Sequence, residues 1–207
     1  MKKFFTTLKN IFSIEDLKVR ILNTLGFLII FRLGSFVVLP GIDPVILKEV
    51  QGEATGILGY IDTFLGGAFN NASIFGLGIM PYISASIVLQ LLTVAVPYFQ
   101  KLQKEGDSGR KRINQITRVL TILICLAQSL GYLTQAVPVE AIAIDNTLLF
   151  RVSSMMILTA GTIFCMWLGE RITDKGIGNG ISMLIMIGII SRFPGSIVQE
   201  LLARVNA

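Results

Sequence analysis

The side chains that most often carry out catalysis are scarce in this sequence. It contains no histidine, so the commonest general base and metal ligand is missing. The two cysteines, Cys125 and Cys165, lie in apolar stretches without CxxC spacing, which is typical of small hydrophobic side chains in a membrane helix. The sequence also lacks a GxxxxGK[ST] phosphate loop and a GxSxG elbow. We therefore expect no enzyme activity, no metal site and no cofactor.

Arg32 is the clearest charge inside an apolar stretch, in the sequence IIFRLGSF. An arginine at the middle of a membrane helix costs roughly 2.5–3.5 kcal/mol on insertion scales. Two interpretations remain open: contact with a polar partner or a water-filled cavity, or snorkelling of the long stem toward the outer surface. The predicted spans contain no carboxylate, which argues against a proton- or sodium-driven transporter.

The composition decides which kind of element must position such residues. Hydrophobic residues make up 53% of the 207 residues and charged residues 15%, whereas a soluble domain has about 25% charged residues. Continuous apolar runs predict helices rather than the alternating segments of a membrane barrel. We therefore predict an all-α membrane bundle with five spans and a short half-helix. The predicted spans are 21–39, 74–98, 119–137, 152–169 and 180–198.

The charges are distributed unevenly along a chain whose net charge is +5. Basic residues cluster in 1–20 and 99–118, whereas most acidic residues lie in the connections of the opposite face. This is the positive-inside pattern, which predicts a cytosolic N-terminus and basic loop, with 199–207 outside. The basic loop either sets the topology alone or also docks an acidic partner or ribosomal RNA. Its candidate contact residues are Lys101, Lys104, Arg110, Lys111 and Arg112.

The second apolar region begins with a stretch that disfavours a continuous helix, TFLGGAFNNASIFGLGIMPYISASIV at 63–88. Its weakening residues are Gly66, Gly67, Asn70, Asn71, Gly76 and Gly78. Ten helical residues cover about 15 Å, half of a bilayer core. The pattern favours a half-helix at 61–73 that dips into an aqueous funnel, then a full helix that Asn71 or Ser73 can cap. The alternative is a kinked span with glycines at close helix crossings.

Four ordered stretches together resemble the SecY family, the pore subunit of the bacterial protein-conducting channel. They are FRLGSFVVLPGID, ASIFGLGIMPYISASIVLQLLTVAVP, KEGDSGRKRINQITR and MWLGERITDKGIGNGISMLI. In the last stretch Asn179 is also a plausible N-cap of the fifth helix. The resemblance implies one half of a ten-helix inverted repeat, here the N-terminal half over 1–207.

The resemblance implies a function as well as a fold. A member of this family would pass unfolded secretory polypeptides across the bacterial cytoplasmic membrane and release transmembrane segments laterally into lipid. The implied partners are SecE and SecG, the SecA ATPase, ribosomes, signal sequences and nascent polypeptides, membrane lipids, and the C-terminal half of the same channel. Half of a secondary transporter is the alternative, and it would require a compact site of polar ligands at the break.

The resemblance also implies roles for individual residues. An apolar pore ring would be formed by the isoleucine quartet, which is Ile79, Ile83, Ile181 and Ile185. Each pair is spaced i, i+4 and so shares one helical face. The plug candidate is the segment Asp62, Thr63, Phe64, Leu65, Gly66, Gly67, Ala68, Phe69, Asn70 and Asn71. The lateral gate would include Ser84, Ile87, Gln90 and Gln128. Plain hydrogen bonds between helices are the alternative role for Ser84, Gln90 and Gln128.

Overall fold

The computed structural model describes residues 13–51, 57–144 and 147–205, and in these ranges the chain is largely helical. Parts of the predicted N-terminal and C-terminal tails, 1–12 and 206–207, lie outside the described residues. The described helices are α1 (Glu15–Gly34), α2 (Pro44–Gln51), α3 (Ile57–Phe64), α4 (Met80–Ala95), α5 (Pro97–Lys104), α6 (Asp107–Gln135), the 3-10 turn Val139–Ala141, α7 (Thr147–Lys175) and α8 (Gly180–Val205).

Two of these helices are long and apolar enough to cross a membrane, α6 and α7, with 29 residues each. A third candidate arises if α4 and α5 are taken as one span bent by 97°, and Gly180–Gly195 of α8 is a shorter apolar helix. Much of the helix surface is apolar; on α1, for example, Leu22, Ile29 and Leu33 are exposed. Such a surface suits contact with lipid or with further apolar protein.

The connection between α1 and α2 consists of turns and isolated bridges, so the predicted span 21–39 is helical only as far as Gly34. Val38 and Ser73 form an isolated antiparallel bridge. The Leu39 N–H donates to the Ala72 carbonyl at 2.8 Å, and the Ile74 N–H donates to the Val37 carbonyl at 2.9 Å. This pairing fixes the far end of the glycine-rich stretch to the connection that follows α1.

Helix α4 begins later than the predicted span 74–98, at Met80, with Pro81 in its first turn. Neither Asn71 nor Ser73 caps it, so that expectation is wrong. The Ser73 hydroxyl instead accepts the Phe75 N–H at 3.2 Å. Gly78 has φ +50°, a conformation that is unfavourable for other residues and incompatible with a right-handed helix. Residues 74–79 are therefore an irregular link.

Helix α4 ends at a proline, which turns the chain sharply. Val96 is extended, with φ −111° and ψ 121°, as expected for a residue that precedes proline. Pro97 then starts α5. Proline has no backbone N–H, but the N–H of a first helical residue has no partner within the helix, so its loss is harmless there. The resulting bend of 97° directs α5 and the basic loop away from the axis of α4.

A row of stacked aromatic rings holds the irregular link between α1 and α7. Phe75 stacks on Phe31 at a centroid distance of 5.9 Å and on Phe164 at 5.8 Å. Two glycines make room for it. A Cβ at Gly34 would overlap the Phe75 ring, and a Cβ at Gly161 would overlap the Ile74 carbonyl. The start of α4 is thus clamped on two sides.

We expect Gly161→Val to destabilise the protein because its side chain would collide with backbone rather than with a flexible side chain. Overpacking of this kind costs about 1–3 kcal/mol. The measurement is thermal unfolding of the complete, detergent-purified protein. Gly26→Val on α1 is the matched control, since no atom lies within 4 Å of a Cβ built there. Equal midpoints for the two variants would contradict the clamp.

Candidate functional site

The plug candidate contains the last residues of α3 followed by a series of tight turns. Helix α3 ends at Phe64, because Gly66 and Gly67 adopt φ +63° and +90°, which a right-handed helix cannot contain. The buried Asp62 holds these turns together: its carboxylate accepts the Asn70 N–H at 2.9 Å and its carbonyl accepts the Gly67 N–H at 3.0 Å. The segment therefore has its own internal bonding and does not depend on a continuous helix.

Two side chains from neighbouring helices bind the backbone of this segment. The Arg32 Nη1 of α1 donates to the Gly66 carbonyl at 2.6 Å. The buried Tyr132 hydroxyl of α6 donates to the Phe69 carbonyl at 2.8 Å, and its ring meets the Phe69 ring edge-on at 4.8 Å. Of the two interpretations of Arg32, contact with a polar partner is therefore the one observed.

Helix α8 approaches the same segment backbone to backbone. A Cβ at Gly188 would overlap the Phe64 carbonyl, and a Cβ at Gly66 would lie 3.1 Å from the Gly188 Cα and 2.8 Å from the Ser191 Oγ. Close crossing of this kind requires small residues at the contact. The plug candidate thus lies in a seat formed by α1, α6 and α8.

Three members of the isoleucine quartet meet the plug candidate at one cavity of about 180 Å³. All of the residues that line this cavity are apolar: Phe31, Phe64, Leu65, Ile79, Met80, Ile83, Leu184 and Ile185. The fourth member, Ile181, packs against the buried apolar residues that include Ile79 and Leu184. It does not line this cavity but a separate polar one, together with Tyr82 and Asn179. Ile79, Ile83 and Ile185 therefore face a common apolar space beside the segment.

The lateral-gate candidates are only partly brought together. Ser84 and Gln128 line a cavity of about 320 Å³ that Leu65 of the plug candidate also lines. Gln90 instead bonds Ser86 of its own helix at 3.3 Å and lines another cavity, and Ile87 is exposed. The cavity with Ser84 is the position where α4, α6 and the plug candidate meet.

Sequence reasoning missed Tyr132 and Gly188, two residues that form the seat. Tyr132 follows Gln128 by one helical turn on α6, so the spacing could have pointed to a shared face. Gly188 is one of several glycines in apolar stretches, and no local signal distinguishes it from Gly195, which has open space around it. Only the folded arrangement identifies the glycine that touches the segment.

The basic candidate residues lie on α5 and the first turns of α6, and all five side chains are exposed. Behind them, Arg118 makes a two-point ion pair with Glu170 of α7, at 3.1 and 2.6 Å. This bidentate ion pair links α6 to α7 behind the exposed basic residues.

The turn between α7 and α8 is fixed by hydrogen bonds. The Asn179 side chain accepts the N–H groups of Ile181 and Ser182 at 3.0 and 3.2 Å, which confirms the predicted N-cap. From α1, the Thr24 hydroxyl accepts the Ile177 N–H at 3.1 Å. Among the described residues, no group of three or more His, Cys, Asp or Glu side chains could hold a metal ion.

Comparison with known proteins gives consistent matches. A sequence model of the SecY family matches residues 73–206. Protein translocase subunit SecY of Buchnera aphidicola subsp. Schizaphis graminum is 45% identical over 206 residues, covering 97% of this chain and 47% of that protein. Protein translocase subunit SecY of Escherichia coli K12 is 44% identical over 194 residues, covering 91% of this chain and 44% of that protein. The chain thus spans about half the length of these relatives.

Solved structures show the same fold. A structure described as a protein conducting channel has a TM-score of 0.59 and 19% identity, covering 84% of this chain and 36% of that chain. A second, described by the role of the SecY plug domain in stabilising the closed translocation channel, has a TM-score of 0.58 and 19% identity. It covers 85% of this chain and 36% of that one.

Proposed function

This chain belongs to the SecY family, and we propose that it forms the N-terminal half of the pore subunit of a protein translocation channel. In the complete protein, a second half would close the pore around the quartet. One observation carries the proposal: Ile79 just before α4, Ile83 of α4 and Ile185 of α8 face one apolar cavity together with Phe64 and Leu65 of the plug candidate. A seal and its stopper would require such an arrangement.

The apolar lining explains how such a channel could hold back ions and still pass a polypeptide. Branched aliphatic side chains offer no hydrogen bonds to a passing chain, so they bind it weakly. A narrow apolar constriction also resists wetting, which blocks hydrated ions. Half of a secondary transporter would need coordinating polar groups at this place, whereas every residue that lines the cavity is apolar.

The plug candidate would fill the outer side of the constriction while the channel is idle and leave when a polypeptide enters. Its own turns are closed by the Asp62 and Asn70 contact, so it could move as one unit. Ser84 and Gln128 would line the neighbouring gate between α4 and α6, through which apolar segments reach lipid. Their polar groups would let a hydrated signal sequence enter before it partitions.

The charge pattern supports the proposed orientation, with five crossings of the cytoplasmic membrane and a cytosolic N-terminus. SecE and SecG would be the accompanying subunits. The exposed residues Lys101, Lys104, Arg110, Lys111 and Arg112 would contact the SecA ATPase or the ribosome, which supply the driving force. The substrates would be secretory polypeptides with their signal sequences, and membrane lipids would receive released segments.

Reconstitution of the complete protein with SecE, SecG and SecA in proteoliposomes tests this function. We expect a secretory precursor to become protease-protected when ATP is added. Replacing Arg110, Lys111 and Arg112 with glutamate should slow protection by about tenfold or more, because like charges would then face an acidic partner. Arg151→Glu, at the opposite end of α7, is the control and should keep the rate of the unaltered protein.

Two outcomes would contradict the proposal. Absence of any protected precursor, with the channel inserted and SecA active, would exclude the translocation function. Equal rates for the triple variant and Arg151→Glu would retain that function but remove the basic loop from partner binding.

A further inference from the structure

Two of the contacts that Arg32 makes help to position its guanidinium. Its Nη1 donates to the Gly66 carbonyl at 2.6 Å, and its Cζ lies 4.6 Å from the centre of the Phe36 ring. Arg32 lies in α1 and Phe36 lies shortly after its end, whereas Gly66 lies 34 positions beyond Arg32 in the chain. The guanidinium therefore joins α1 to the plug candidate.

We propose that Arg32 is a positioning residue that keeps the plug candidate seated in the idle channel. This inference rests on the proposed function, in which the segment 62–71 is the plug. It goes beyond that function because it assigns the hold on the plug to one named side chain of α1. The alternative is that the arginine merely satisfies its own charge in an apolar helix.

The Gly66 carbonyl, which accepts from Arg32, lies where this bond can open without breaking the hydrogen bonds inside the segment. The carbonyls of Leu65 and Gly67 bond the N–H groups of Ala68 and Asn71 inside the segment. The carbonyl of Gly66, at φ +63°, is instead directed to α1, because the left-handed residue rotates it out of the helical direction. The internal bonds can therefore survive while the bond to Arg32 opens.

The chemistry suits a hold that is firm yet reversible. A hydrogen bond with a charged donor is about twice as strong as a neutral one and is strengthened further in an apolar surrounding. The acceptor belongs to the backbone, so side-chain replacements in the segment do not remove it. Tyr132 of α6 makes the corresponding bond to the Phe69 carbonyl. Two donors thus grip one unit from α1 and α6.

The test reads plug release directly in the complete channel, reconstituted in membranes. Leu65 is buried in the seat, so a cysteine there reacts with a membrane-impermeant maleimide only when the segment leaves. In the Leu65→Cys background, Arg32→Met should raise the labelling rate by about tenfold or more, since a charge-assisted hydrogen bond is lost. Arg32→Lys, which keeps the charge and an N–H donor, should restore most of the hold.

The idle ion conductance is measured on the same variants and should rise in parallel with labelling. Arg151→Met, which removes an exposed arginine from α7, is the control and should change neither readout. If Arg32→Met does not fold, Arg32→Gln replaces it, since it is also neutral but keeps a polar end. A rate equal to that of the unaltered channel in the neutral variant would overturn the proposal.

Loss of the Arg32 role and loss of the channel function would give different results. Unchanged labelling in the Arg32 variants, while serine at the isoleucine quartet raises conductance, would reject the role of Arg32 and leave the channel function standing. The Arg32 variants could instead label faster while neither they nor the quartet variants conduct more than the unaltered channel. That result would keep Arg32 as a contact of the segment but reject the segment as the stopper of a pore.

Discussion

A triple variant in which Ile79, Ile83 and Ile185 are all replaced by serine should make the idle channel conduct ions. Each isoleucine that is truncated removes about 1.5 kcal/mol or more of apolar burial. That is about tenfold in the ratio of dry to wetted pore for each position. The three side chains line one cavity, so their effects fall on the same constriction. The measurement is single-channel conductance of the complete protein in a planar bilayer, without precursor or motor.

The matched control for this series lies on the same helix as Ile185. Ile190 of α8 is 51% exposed and is absent from the cavity lining. Serine at Ile190 should leave the conductance at the level of the unaltered channel. A triple variant that stays sealed would show that the aliphatic ring is not the barrier. A conducting Ile190 variant would show that the leak comes from general loosening of the bundle.

Ile181 tests how far the ring extends. It shares a helical face with Ile185 but lines the polar cavity next to the Arg118–Glu170 ion pair. Its serine variant should therefore have a smaller effect than that at Ile185. The spacing i, i+4 predicts a shared face but not the depth at which each side chain meets the cavity.

The helices could be predicted from the sequence because hydropathy and breakers are local properties. Asn179 caps α8, as its position in the sequence predicts, whereas α4 ends before Pro97, inside the predicted span 74–98. The exact path of the glycine-rich stretch could not be predicted. Helix α3 stops at Phe64, and six irregular residues precede Met80, because the Phe75 ring and the bridge to Val38 decide where α4 starts.

The candidate site was predictable only in part. The isoleucine quartet follows from the family resemblance, since aliphatic pairs at helical spacing are common in any apolar helix. The seat depends on contacts between residues far apart in sequence. Arg32 meets Gly66 across 34 positions and Tyr132 meets Phe69 across 63. Neither pairing leaves a periodic trace in the sequence, so the fold alone reveals them.

The largest expected effect on the seat comes from Gly188→Val. A Cβ at this position would overlap the Phe64 carbonyl, and backbone cannot yield as a flexible side chain can. Helix α8 is held at its start by the Asn179 cap, whereas side-chain hydrogen bonds from Arg32 and Tyr132 join the plug candidate to α1 and α6. The segment rather than the helix should therefore move. Overpacking of about 1–3 kcal/mol would shift the seated state toward release by about fivefold to 150-fold.

Gly195 supplies the matched control for Gly188 because it lies two turns further along α8 with open space around it. Maleimide labelling of Leu65→Cys should accelerate with valine at 188 and stay unchanged with valine at 195. Conductance should follow the labelling, since the stopper and the seal meet at one cavity. Faster labelling in both variants would indicate distortion of α8 itself. Unchanged labelling with valine at 188 would mean that the segment tolerates the side chain in its seat, and the close crossing would then have no part in holding the plug.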